Sequence, residues 1–124
     1  MKNYVIKLIF LLTLFSTFSF KKDSLLAWQL AYNQNGISVY YNLETCNGKD
    51  MIYFKIENKT NQDKIIKLAG SVRDATNTQN ISAPIFVQAN SSIEMNCQDQ
   101  IKPNSCCLPL LHRFINPVVQ ISVK

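Results

Sequence analysis

Histidine occurs once in the chain, as His112, and neither a G-x-S-x-G elbow nor a Cys/His signature surrounds it in Leu110-Leu-His-Arg-Phe-Ile. Nucleophilic catalysis needs a base beside its nucleophile and a third group to orient that base, so His112 reads as a surface or loop residue. Glycine is nearly as scarce. With only Gly36, Gly48 and Gly70, no loop is built to cradle phosphate. Arginine occurs only at 73 and 113 and the lysines are scattered, which leaves no cluster to track a nucleic-acid backbone. The cysteines show no C-x-x-C spacing and the acids no D-x-D-x-D-G spacing, so neither a zinc cluster, a redox dithiol nor a calcium loop is encoded. The reading is a chain with no cofactor, no metal and no nucleic-acid partner.

What is present starts at the N-terminus. Met1, Lys2 and Lys7 precede an uncharged run from Leu8 to Phe20, closed by Lys21, Lys22 and Asp23. Such a run falls short of the roughly 20 residues a helix needs to cross a bilayer, and its charged flank and apolar core have the layout of a secretory signal peptide. Small residues place the cut after Ser19 or after Ala27. Residues 1–27 are therefore read as a leader and 28–124 as one exported domain, with no stable membrane span after cleavage. With the cut after Ser19, Lys2 and Lys7 leave and the balance is 11 Lys+Arg against 8 Asp+Glu, a net charge of +3.

All four cysteines, Cys46, Cys97, Cys106 and Cys107, lie beyond the leader. An even count in a small exported chain reads as a disulfide framework. Of the three connectivities, joining Cys106 to Cys107 would close a strained ring between neighbours. The expectation is two disulfides, with Cys46 and Cys97 each bonded to one member of the 106–107 pair.

The rest of the chain alternates with a period of two. Ile37, Val39, Tyr41 and Leu43 share one face, after an Asn35-Gly36 turn. Ile52, Phe54 and Ile56 alternate with Tyr53, Lys55 and Glu57, and Ile66, Leu68 and Val72 lie opposite Ile65, Lys67 and Ala69; with the polar run from Asn58 to Asp63 between them, these two read as a hairpin. Arg73 to Ser82 reads as an exposed loop. Further strands are expected around Ile85 to Ala89, Ile93 to Cys97 and Val119 to Lys124, with a first one at Trp28 to Asn33 whose Trp28, Leu30 and Tyr32 face one way. Gln98 to Pro109 reads as an irregular stapled connection, followed by room for a short helical turn at Leu110 to Phe114. About seven strands without a long amphipathic helix predict an all-β, antiparallel, Ig-like β-sandwich stapled by disulfides, with a closed barrel as the alternative.

The succession Asn35-Gly-Ile-Ser-Val-Tyr-Tyr, Cys46, Ile52-Tyr-Phe-Lys-Ile-Glu-Asn-Lys-Thr and Phe86-Val-Gln-Ala-Asn-Ser-Ser-Ile-Glu-Met-Asn-Cys97 resembles small exported Ig-like domains of uncharacterised function from Bacteroidota-type bacteria. The resemblance implies an architecture and no activity.

Tyr40 and Tyr53 fall opposite the apolar stripes and are the candidates for a solvent-facing binding surface; Trp28 reads as a core plug. The acids Glu44, Asp50, Glu57, Asp63, Asp74, Glu94 and Asp99 show no catalytic pairing by spacing. Three N-x-S/T sequons begin at Asn58, Asn80 and Asn90. The resulting expectation is a secreted or periplasmic, non-enzymatic binding or structural module of the cell envelope, with an extracellular or envelope protein or a glycan as partner. A small secreted inhibitor or effector, and a small exported hydrolase, are the competing classes. The polar stretches Asn58 to Lys64 and Arg73 to Ala83 are where recognition is expected to sit.

Overall fold

The computed structural model describes residues 27–97 and 106–124; the proposed leader, apart from Ala27, lies outside them. Asn35 and Gly36 have φ of 54° and 77°, and Asn47 and Gly48 have φ of 50° and 79°. Two successive positive φ values in a two-residue loop match the twist of the flanking strands, which is why Asn-Gly is favoured there. The two turns fold β1 (Gln29–Gln34), β2 (Ile37–Cys46) and β3 (Lys49–Asn58) into an antiparallel meander, closed by the pairs Gln34↔Ile37 and Cys46↔Lys49.

A second sheet holds β4 (Lys64–Arg73), β5 (Thr78–Val87) and β8 (Val118–Val123) in the order β5-β4-β8. The expected hairpin between β3 and β4 is therefore corrected: the strands lie in different sheets, and residues 59–63 cross between them. Alternation places both apolar faces toward one core, which a hairpin and a crossover satisfy equally well. What fixes the crossover is Asn58, 1% exposed. Its Nδ2 donates to the carbonyls of Gln62 (2.8 Å), Val87 (3.2 Å) and Gln88 (3.2 Å), and its Oδ1 accepts from the Thr60 amide (3.0 Å) and hydroxyl (2.6 Å).

The expected loop from Arg73 to Ser82 is also corrected. β4 runs through Arg73, the turn is only residues 74–77, and β5 starts at Thr78. Gln79, Ile81 and Ala83 turn inward while Thr78, Asn80 and Ser82 face solvent, so a half-buried strand with a polar outer face looks like a loop in sequence. In β1 a register shift between Leu30 and Tyr32 sends Leu30 to solvent, 55% exposed, against the expected inward face. A bulge of this kind breaks the period of two.

β6 (Ser91–Glu94) and β7 (Cys107–Pro109) lie end to end along one edge of β3, on Lys55–Asn58 and Met51–Tyr53 respectively. Between them the Phe54 amide donates to the Cys106 carbonyl at 2.7 Å. No helical turn forms at Leu110 to Phe114. The whole is an all-β antiparallel sandwich of the Ig-like kind, with eight strands among the described residues. Val39, Ile52, Phe54 and Ile56 from one sheet meet Leu68, Val72 and Ile85 from the other, all essentially without exposure. Each such side chain contributes about 1.5–3 kcal/mol through burial. Trp28 packs against this core from its margin, as expected of a plug.

Candidate functional site

The Asn47-Gly48 turn fixes the register at one end of the sandwich, setting Glu44 opposite Met51 and Thr45 opposite Asp50. There the connection between β7 and β8 folds over and leaves a cleft of about 200 Å³. Leu43, Met51, Leu110 and Phe114 give it apolar walls, and Glu44, Thr45, Asp50 and Arg113 give it polar ones. The Thr45 hydroxyl donates to Asp50 Oδ1 at 2.7 Å, and the Leu110 amide donates to the Asp50 carbonyl at 2.9 Å. Glu44 Oε2 is buried and finds no hydrogen-bond partner among the described residues. A buried acceptor left without a donor carries an unmet desolvation cost, and by strand alternation this one lies on the outer face with Tyr40, opposite to Thr45 and Asp50.

The β4–β5 hairpin holds the loop that closes this cleft. Gln79 Nε2 donates to the Pro109 carbonyl at 2.9 Å, and its Oε1 accepts from the Leu111 amide at 2.7 Å. Asp74 Oδ1 accepts from the amides of Thr76 (2.9 Å) and Asn77 (2.7 Å), and its Oδ2 from the Ile115 amide (3.0 Å). These donors, Ile115 first, hold the Asp74 carboxyl down from 3.8 to about 2. Arg113 and Phe114 are thus presented by a loop tied down on both sides.

Next to the cleft, Cys46 is bonded to Cys97, with Cα atoms 5.4 Å apart. The expected pairing of each with the 106–107 pair is overturned: there is one disulfide, and Cys106 and Cys107 are buried thiols. The pairing of Cys107 with Tyr53 seats this segment on β3. Burial above all, with Cys107 alongside, pushes the Cys106 thiol up to about 12.

The two candidate tyrosines share the outer face of the first sheet but differ in access. Tyr40 is half-buried, with Lys55 Nζ 5.7 Å from its ring centroid. Tyr53 is 2% exposed, so it presents no ring to solvent, and its place in the binding surface is withdrawn. His112 is exposed and packs edge-on against Phe114, with ring centroids 6.0 Å apart. No group of three or more His, Cys, Asp or Glu suited to a metal ion is found among the described residues. Nor is any helix among them long and apolar enough to cross a membrane. Of the sequon asparagines, Asn58 is consumed by the crossover, while Asn80 and Asn90 are exposed.

Sequence reasoning named Glu44 and Asp50 only among seven acids, and passed over Arg113 and Gln79. The two-residue Asn47-Gly48 turn was the usable signal, since it sets the strand register that brings Glu44, Thr45 and Asp50 to one end. Nothing local marks Leu110 to Phe114 as the covering loop. No family model, no curated protein and no solved structure matches this chain.

Proposed function

We propose that the protein is an exported, non-enzymatic module that works by binding at the cell envelope, through the cleft beside the Cys46–Cys97 bond. The observation that carries the reading is a cleft in which the hydrogen-bonded pair Thr45 and Asp50, with Arg113, stands among apolar walls from Leu43, Leu110 and Phe114. Small-ligand and side-chain pockets combine an apolar lining with a few placed polar groups in this way. The occupant expected is a segment of a protein or glycan that brings a hydrogen-bond donor toward Asp50 and an apolar surface toward Leu110 and Phe114. The disulfide supports an oxidising compartment, in keeping with the leader-like N-terminus.

Glu44 and Asp50 lining one cleft also favour the competing reading of a small exported hydrolase. One experiment separates them. A photo-crosslinking residue is placed at Arg113 or, as control, at Lys67 on the outer face of the second sheet, and cells are irradiated and fractionated. Saturable adducts in the extracytoplasmic fraction from position 113 alone, reduced in Asp50→Asn, support the binding reading. Equal labelling from both positions, or protein retained in the cytoplasm, overturns it. Substrate turnover abolished by Glu44→Gln or Asp50→Asn would establish the hydrolase instead.

A further inference from the structure

Four asparagines among the described residues hold positive φ: Asn35 (54°), Asn47 (50°), Asn90 (52°) and Asn116 (48°). Asparagine is a thermolabile side chain, and the residue after it sets how labile it is. The backbone nitrogen of that residue attacks the amide carbon Cγ and closes a five-membered succinimide as ammonia leaves. Asn116 precedes Pro117, whose nitrogen has no proton to give up. Asn90 precedes Ser91, whose side chain crowds the approach, and its own amide donates to the Thr60 carbonyl at 2.8 Å. Asn35 and Asn47 precede glycine, which has no Cβ to hinder the attack.

Both of these are exposed, and each hairpin carries one side-chain bond beside its turn, Ser38 to Asn33 at 3.1 Å and Thr45 to Asp50 at 2.7 Å. The difference is what lies over each turn. The Gly36 carbonyl accepts from the Lys59 amide at 2.8 Å, and a Cβ added at Gly36 would meet Thr60 Cγ2 at 2.8 Å. Thr60 is itself anchored by its amide and hydroxyl on the buried Asn58. At Gly48 nothing beyond the chain neighbours lies within 4 Å of such an added atom, and among the described residues no hydrogen bond from another segment reaches Asn47 or Gly48. The Cys46–Cys97 bond holds the end of β2 and stops short of the turn.

Bringing the glycine nitrogen onto Cγ requires the intervening peptide to rotate, so the reaction runs through local opening of the turn. Opening at Asn35 also breaks the Lys59 bond, which lowers the open population about tenfold, the net worth of one hydrogen bond. We infer that Asn47 is a self-modification site. The Gly48 nitrogen bonds to Asn47 Cγ, the Cγ–Nδ2 bond breaks, the Gly48 proton departs with ammonia, and water then opens the succinimide to aspartate or isoaspartate. One water enters and one ammonia leaves, with no change of oxidation state. Where water breaks the original peptide bond between Asn47 and Gly48, the backbone runs on through Cβ and Cγ. That adds a carbon to the two-residue turn that sets Thr45 opposite Asp50, and a new carboxylate stands beside Cys46.

The site is independent of what the cleft binds. Its test ages the folded protein, with the Cys46–Cys97 bond intact, in mildly alkaline buffer beside the same protein in urea, and follows both asparagines by peptide mass spectrometry and isoaspartyl methylation. In urea the two are expected to convert at the same rate; in the folded protein Asn47 should convert about tenfold faster than Asn35. Thr60→Ser removes the methyl over Gly36 and keeps the hydroxyl that bonds Asn58, so it should speed Asn35 and leave Asn47 unchanged. Equal folded rates at the two turns, faster conversion at Asn35, protection of both throughout, or a Thr60→Ser variant that shifts both alike would overturn the proposal.

Discussion

Asp74 shows how much of this fold depends on single polar side chains. Its carboxylate caps the turn between β4 and β5 and also receives the Ile115 amide from the loop over the cleft. Because the folded-state value is depressed, the stabilisation it gives is fully present above the ordinary carboxylate range and is lost as pH falls from 3.8 through about 2. Asp74→Asn should therefore lower the melting temperature at pH 7 and flatten its decline over that acid window, read by thermal denaturation from pH 2 to pH 7. A wild-type and variant difference unchanged from pH 7 to pH 2 would refute the assignment. Asp74 was legible in sequence as a turn residue, yet its second role was not, because Ile115 is 41 positions away. Asn58 is similar: it looked like the start of a polar turn and a sequon, while its carbonyl partners Val87 and Gln88 lie about 30 residues further on.

The strands themselves were the most legible elements, since period-two alternation reports one buried face directly. β2, β3, β4 and β8 lie where the alternation puts them, whereas sheet membership was not readable, as the β3–β4 crossover shows. Gly70 belongs to the same scale. A Cβ added there would run into the Gln120 carbonyl of β8, so the central strand of the second sheet accepts its neighbour only because this position has no side chain. Gly70→Ala should destabilise the protein by about 1–3 kcal/mol, the usual cost of forced backbone shifts, and loosen β8 before β5. Chemical denaturation with site-resolved amide exchange would check both; equal loss of protection along β5 and β8 would count against a local clash. In sequence Gly70 carried no signal beyond its place in a strand, because a strand glycine gives no sign of which backbone lies against it.

At the scale of the whole molecule, the Cys46–Cys97 bond spans 51 positions and encloses β3 to β6. Closing a loop of that length stabilises by about 4 kcal/mol in the chain-entropy account. The double variant C46S/C97S should lose most of that amount in urea denaturation and leave the midpoint insensitive to reductant, whereas the parent's midpoint falls when reductant is added. The buried thiols of Cys106 and Cys107 should stay unalkylated near neutral pH until the chain unfolds, so the same samples report their burial. The architecture was readable in the alternation; the cysteine pairing was not, since it depends on which strand ends the sandwich brings together. That bond also sets a load path. If the chain is pulled from its two ends, tension passes from β2 through the sulfurs to the residues after Cys97, and β3 to β6 bear none of it. About 170 Å of contour length, at roughly 3.3–3.6 Å per residue, stays locked behind the disulfide. While the bond is oxidised the molecule is a short tether, and under reduction it becomes a long one.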